Sequence, residues 1–333
     1  MTATERKVKL ASFEYQGADR AGVELDADTL LDLSSAFVLS GAGNQAPRTV
    51  QELIEGGDDA LVLLHQGLAA ARTDRLTAER HAVLYSTAAV HWRAPVRRPS
   101  KICCLALNNS ANADRILSGP KHPAMFIKPS SALAGHGEAI VCKPQYGRTH
   151  PEPELAVVIS RRARDVAAAD AYTHVFGYTI HNDITSPTMR TEDTFHYRAI
   201  HPAPGEPDGI RYVDTWVSYP GRYKCADTFA CMGPWLVTAD EVPRPHALTV
   251  RCRHDERLVT QDNTANLFYK IPEVIEFLSA YMTLLPGDIV SMGTALAASA
   301  RGGAIQNVDL NVLGGSVSVE IEGLGCLTNP VKR

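Results

Sequence analysis

Two stretches in the middle of the chain carry the heaviest apolar loading. Leu155 to Ile159 is an unbroken apolar run, and FGYTI, residues 176–180, is a second short block closed by His181-Asn182-Asp183. Runs of this length without polar alternation read as strands covered on both faces. Comparable blocks are KICCLAL, AMFIK, ALTVRC, DIVSM and SVSVEIEG. Near the start, VKLASFEY, AGVEL and TLLDLS are short strands separated by polar turns. Helical spacing appears in two places. Leu61, Leu64 and Leu68 recur between Ala60 and Ala71, and Val274, Ile275, Leu278 and Met282 fall on one face from Pro272 onward. The turn Leu285-Pro286-Gly287-Asp288 then feeds another strand.

RAPVRRPS, residues 93–100, has two prolines and three arginines and reads as a linker. The pattern therefore predicts a small α/β N-terminal domain, 1–95, and a larger, mostly β domain, 101–333. Strand runs without regular helical crossovers make the class α+β and argue against a doubly wound sheet. No G-x-G-x-x-G and no P-loop indicates a nucleotide cradle. Between Asp183 and Lys224 little is periodic. A connection of that length in a compact domain is expected to be a lid or binding loop.

Composition narrows the class of partner. The chain has 333 residues, 45% apolar and 21% charged, the profile of an ordinary globular protein. A net charge of −4 gives no reason to expect nucleic acid or an anionic membrane. The N-terminus lacks a signal-peptide core, and no apolar run approaches the ~20 residues of a membrane span. Seven cysteines, an odd number without a C-x-x-C pair, disfavour a disulfide framework and a thiolate zinc site. The expected setting is reducing and cytoplasmic.

Candidate chemistry sits at HPEPELAVVI, residues 150–159. In an extended chain residues i and i+2 point to the same side, so Glu152 and Glu154 converge, roughly 7 Å apart along the chain. Like charges that close repel unless a proton or cation lies between them. Pro151 and Pro153 fix φ and stiffen the pair. Asp183, a polar strand end after an apolar run, is an available third ligand. Three carboxylates suit a hard cation, Mg²⁺ or Mn²⁺, with Ca²⁺ a third candidate. The competing reading of the glutamate pair is a solvated strand end.

Residues 101–330 resemble the fumarylacetoacetate hydrolase family, the fumarylacetoacetase-like C-terminal domain. The matching stretches are AMFIKPSSAL, PEPELAVVISRRARDV, FGYTIHNDIT, YKCADTFACMGPWLVT, LSAYMTLLPGDIVSMGTA and IEGLGCLTNPV, in family order. GVELDADTLLDLS is similar to the small leading domain of many members. The resemblance implies a mixed β-roll, a homodimer, and action on 2-oxo or 1,3-diketo acids. It implies metal ligands at Glu152, Glu154 and Asp183. It places a catalytic lysine at Lys224, followed by Asp227, and a substrate-carboxylate grip at Gly293 and Thr294. A metal there would act as a Lewis acid on an enolate, with Lys224 as a second positive charge.

The pattern also breaks. Hydrolytic members carry a His and a Glu in G-L-N-Y-x-x-H-x-x-E that together activate water. Here the segment reads ALNNSANADR, with Asn112 and Arg115 at those positions and Pro187 where many members have Arg. Either a base comes from elsewhere, with His181, His196, His201 and His122 as candidates, or no activated water is needed. Asn108, Asn109 and Arg115 are candidate substrate contacts. The expected activity is metal-dependent hydrolysis of a C–C bond in an acylpyruvate-like acid of aromatic or cyclic compound catabolism. Decarboxylation, isomerisation or hydration of a 2-oxo acid is the alternative that dispenses with the dyad.

Overall fold

The buried apolar blocks line up in one long mixed sheet in the computed structural model, which describes residues 8–112, 116–117, 119–297 and 305–333. In order across the sheet the strands are Leu84–Ser86, Thr29–Asp32, Ala18–Asp26, Lys9–Tyr15, Leu236–Thr238, Val175–Asp183, Pro153–Ile159, Ile289–Thr294, Ile102–Ala106 and Ala124–Lys128. Neighbours are antiparallel except Ile289–Thr294 and Ile102–Ala106, which run parallel. A second sheet holds Arg257–Asn263, Thr249–His254, Ser316–Ile321, Gly325–Lys332 and Ile140–Val141. Strands dominate and helices are few, as the α+β reading expects.

Pro153–Ile159 and Val175–Asp183 are buried along their whole length. The reason is a core on each side. Leu155, Val157 and Ile159 enter one, and Ala156 and Val158 enter the other, as the two-residue period requires. Burying each Leu, Val or Ile side chain contributes roughly 1.5–3 kcal/mol. The strand that bears the glutamates is thus held by packing before any polar contact is counted.

The second core also joins the two parts separated by residues 93–100. Leu10, Leu31, Leu64 and Leu68 pack with Ile102, Phe126, Val158 and Leu236. Lys9–Tyr15 pairs with Leu236–Thr238, so the sheet itself crosses the boundary. The linker is pinned at both ends. The Ser12 hydroxyl donates to the Pro95 carbonyl at 2.7 Å, and buried Asp288 accepts from the Ser100 hydroxyl and the Lys101 N–H. The chain before residue 95 shares this core with the chain after residue 101.

Helices form at Gly57–Thr73 and Ile271–Tyr281, around the periodic stretches. The first buries Leu64, Gly67, Leu68 and Ala71. A side chain at Gly67 would sit 1.8 Å from the Ala36 carbonyl oxygen, so only glycine permits the approach. The second begins with Pro272 in its first turn, where a missing N–H costs nothing, and Glu273 accepts from the Lys270 N–H.

The stretch from Asp183 to Lys224 is structured, contrary to its lack of period. It holds a helix, Pro187–Glu192, then two nine-residue strands, Thr194–Pro202 and Ile210–Ser218, paired only with each other, and a short helix, Arg222–Cys225. Ser186 caps the first helix and Pro187 opens it. The hairpin escapes a periodicity reading because neither of its faces is reserved for a core.

Candidate active site

Glu154 and Asp183 stand at the ends of the two central strands, and Glu152 lies just before the first. The register sets Glu154 against His181 on one side and against Thr294 on the other. The Asp183 N–H donates to the Glu152 carbonyl at 2.9 Å, which fixes their relative height. Carboxylate oxygens of Glu152, Glu154 and Asp183 lie within 4.8 Å of one another. Glu154 and Asp183 are almost fully buried, while Glu152 keeps some exposure at the mouth.

Each carboxylate spends one oxygen on the protein. Oε1 of Glu152 accepts from the Thr185 hydroxyl at 2.9 Å and lies 3.2 Å from Nε2 of His150. Oε2 of Glu154 accepts from the Ser291 hydroxyl at 2.5 Å and from the Gly293 N–H at 3.1 Å. Oδ1 of Asp183 accepts from the ammonium of Lys128. The second oxygens of Glu152 and Asp183 share one lysine. Lys224 donates to Oε2 of Glu152 at 3.0 Å and to Oδ2 of Asp183 at 2.6 Å. One oxygen from each of the three carboxylates, all within 4.8 Å of one another, suits a hard cation such as Mg²⁺ or Mn²⁺.

The electrostatics follow from this pairing. Burial pushes the Glu152 carboxyl up, but the Lys224 charge and the His150 hydrogen bond outweigh it and hold it well below the usual range. Asp183 is also lowered, its burial opposed by Lys128 and then Lys224. Glu154 moves the other way. Its burial, with the charges of Asp183 and Glu152, raises it against the opposing pull of the nearby His181. Burial lowers Lys224, but Asp183, Glu152 and Glu154 raise it further, so its ammonium stays charged. Three carboxylates against two lysines leave a net negative site that favours a divalent cation.

Several expected residues are placed differently. Asn108 is buried and fully engaged: its amide donates to the carbonyls of Met292 (2.8 Å) and Tyr269 (3.1 Å) and accepts from the Tyr269 N–H (2.7 Å). It braces the frame and has no donor left for a substrate. Gly293 spends its N–H on Glu154. At φ +82°, with a Cβ contact to the Leu105 carbonyl that would be 3.2 Å, it is a position for glycine. Thr294 keeps a buried hydroxyl without a partner, and so does the side-chain oxygen of Asn109, whose amide nitrogen donates to the Thr294 carbonyl at 3.1 Å. Asp227 is exposed. Asn112 lies in a short turn, Ser110–Asn112, and Arg115 lies outside the described residues.

Of the four histidines considered, His181 reaches the cluster. It is fully buried, with Nδ1 2.6 Å from the Ser291 hydroxyl and 3.8 Å from Glu154. His122 stacks on Phe277, and His196 on Trp216 in the hairpin; His201 is also in the hairpin. The sequence reading missed Lys128, Ser291 and His150. A lysine closing the apolar strand AMFIK was the available signal for Lys128, and an i−2 histidine for His150. Ser291 had none, because its partner is 137 residues away in sequence.

Fold and site together define a metal-carboxylate enzyme of the fumarylacetoacetase type. The model of the fumarylacetoacetate (FAA) hydrolase C-terminal domain matches residues 101–332, and the chain belongs to that family. The mitochondrial oxaloacetate tautomerase FAHD2B of Bos taurus is 30% identical over 287 residues, 86% of this chain and 80% of that protein. The oxaloacetate tautomerase YisK of Bacillus subtilis is 29% identical over 97% of this chain and its own full length. The crystal structure of maleylpyruvate hydrolase from Sphingobium sp. SYK-6, in complex with manganese(II) and pyruvate, superposes with a TM-score of 0.64 at 26% identity, covering 97% of this chain and 98% of that one.

Proposed function

We propose that this enzyme interconverts the keto and enol forms of a small 2-oxo acid of the oxaloacetate type. One observation carries the reading. The buried Lys224 ammonium lies between Glu152 and Asp183, while the sequence positions that would supply a water-activating His and Glu hold Asn112 and Arg115. This set stabilises a developing enolate and provides no dyad to activate water. The names of the tautomerase relatives support the same reading.

Glu152, Glu154 and Asp183 would hold a divalent cation, which would supply Lewis-acid polarisation of a 2-oxo acid. The chain's own residues do the rest. Lys224 places a permanent positive charge where the 2-oxo oxygen gains electron density. The Thr294 hydroxyl, buried without a partner among the described residues, is a donor left to orient the acid's carboxylate. In the reaction a C–H bond next to the carbonyl breaks, its electrons become the C=C bond, and a proton ends on the former carbonyl oxygen. No water is consumed and no carbon–carbon bond is cut.

A second reading is hydrolysis of an acylpyruvate in aromatic catabolism, favoured by the likeness to the maleylpyruvate hydrolase. A homodimer and a cytoplasmic setting complete the proposal. Five of the seven cysteines are buried as free thiols, which suits a reducing compartment. The test follows the ultraviolet absorbance of enol-oxaloacetate with Mn²⁺, with chelator, and with Glu152→Gln. Metal-dependent acceleration that Glu152→Gln abolishes is expected. Acid products from an acylpyruvate without any acceleration of the tautomerisation would replace this reading with the hydrolase.

A further inference from the structure

His181 is fully buried beside the three carboxylates, and the proposed reaction leaves it without a task. The register sets it between Glu154 on one side and Met232, a residue of the second core, on the other. Its Nδ1 lies 2.6 Å from the Ser291 hydroxyl, and that hydroxyl donates to Oε2 of Glu154 at 2.5 Å. Nδ1 is 3.8 Å from Glu154 itself, beyond hydrogen-bond reach. Any hydrogen-bonded action of the ring on the carboxylate therefore runs through Ser291. The other ring nitrogen, Nε2, is buried and has no partner among the described residues.

The idle nitrogen decides where the proton sits. A neutral imidazole donates from one nitrogen and accepts at the other. With the proton on Nδ1, the ring donates to the Ser291 oxygen and the Ser291 hydrogen goes to Glu154, so both bonds form. With the proton on Nε2, the ring buries an N–H that has no acceptor, and Nδ1 draws the Ser291 hydrogen away from a carboxylate. That form makes one bond where the first makes two, and it forfeits the charge-assisted one. A serine hydroxyl on its own turns freely about its C–O bond. A donor seated on its oxygen removes that freedom. We infer that His181 is a positioning residue: its Nδ1–H locks the Ser291 hydroxyl onto Oε2 of Glu154, and this holds the carboxylate where it converges with Glu152 and Asp183. The Gly293 N–H is the second donor to the same oxygen, fixed by the backbone. The inference rests on the reading of the three carboxylates as a cation site. With no surface exposed, His181 acts on the ligand and does not touch the reacting atoms.

Isothermal titration of the full chain with Mn²⁺ tests the role. His181→Leu keeps a similar volume and removes the N–H. It should weaken Mn²⁺ binding by about 10-fold, the lower end of what losing such an orienting group costs. His181→Asn sets an amide N–H near the Nδ1 position and should recover most of the affinity. His181→Leu added to Ser291→Ala should cost nothing beyond Ser291→Ala alone, because the path through the hydroxyl is already cut. A merely structural role would cost the same factor in both backgrounds and would not be rescued by Asn. Nitrogen-15 NMR of the histidine rings in the wild-type chain, with His181→Asn to assign the signal, should place the proton on Nδ1. Wild-type affinity in folded His181→Leu, additive losses in the double variant, or a wild-type ring protonated on Nε2 would each overturn the inference. If His181→Leu does not fold, the wild-type ring spectrum decides. A wild-type chain that binds no Mn²⁺ would overturn the cation site and this role together, whereas wild-type binding that His181→Leu leaves intact overturns the role alone.

Discussion

Lys128, a lysine with no exposed surface, donates its ammonium to Oδ1 of Asp183 and to the Phe229 carbonyl at 2.6 Å. It neutralises one of the two buried carboxylates of the cluster, whose other oxygen meets Lys224. Lys128→Met removes that charge and leaves Asp183 buried with one partner fewer. Loss of one member of such a pair costs about 3–5 kcal/mol. The variant should show a lower Tm than wild type, and Mn²⁺ should restore more of it than in wild type, because the cation replaces the missing positive charge. Calorimetry with and without Mn²⁺ checks this; equal metal-induced shifts in both proteins would dissociate Lys128 from the site.

Ser291 fixes Glu154 in the same manner. Ser291→Ala leaves the Gly293 N–H as the remaining donor to Oε2, so the carboxylate can rotate. Groups that orient metal ligands change metal affinity by about 10–100-fold when removed. Isothermal titration with Mn²⁺ should show a loss near the lower end of that range, with the fold intact. Unchanged affinity would show that packing alone orients Glu154.

Lys224 is assigned to the reacting oxygen more than to the metal. Lys224→Ala should reduce kcat by about 10²–10³. Metal affinity should hold or rise, since a positive charge beside Glu152 and Asp183 is gone. A variant that loses Mn²⁺ binding while keeping the kcat of its loaded form would remove Lys224 from this role.

His246 gives a pH signature distant from the active site. Its Nε2 accepts the Ile271 N–H at 3.1 Å, at the start of the helix Ile271–Tyr281. Burial, then the charge of Lys270, pushes its pKa down to about 4. The unfolded chain therefore binds a proton near the usual 6.5 and the folded one does not. Stability is fully present above about pH 6.5 and is lost as pH falls toward 4, by about 1–2 kcal/mol after allowance for partial exposure. His246→Gln keeps an acceptor and should flatten the Tm profile between these values; a profile as steep as that of wild type would assign the acid sensitivity to other groups.

Much of the frame was legible in the residues themselves. The run Leu155–Ile159 reads as a strand covered on both faces, and the Leu61-Leu64-Leu68 spacing reads as a helix face. The two-residue repeat of an extended chain points Glu152 and Glu154 to one side, and the end of the apolar run makes Asp183 an available third ligand. These are local consequences of backbone geometry. Which oxygen of each carboxylate faces inward was not local. It depends on Lys128, Ser291 and Lys224, brought from separate strands and a helix by strand order. Asn108 and Gly293 read as substrate contacts in one dimension, and the fold spends their polar groups on Tyr269, Met292 and Glu154. The 93–100 linker reads as a boundary, while Lys9–Tyr15 pairs across it with Leu236–Thr238. The hairpin was illegible for a further reason: periodicity reports which face meets the chain's own core, and neither face of Thr194–Ser218 does. Local pattern is enough for the strands, the helices and the acids at their ends; the pairing of charges comes from strand order and packing, which alone bring residues distant in the chain within hydrogen-bond reach.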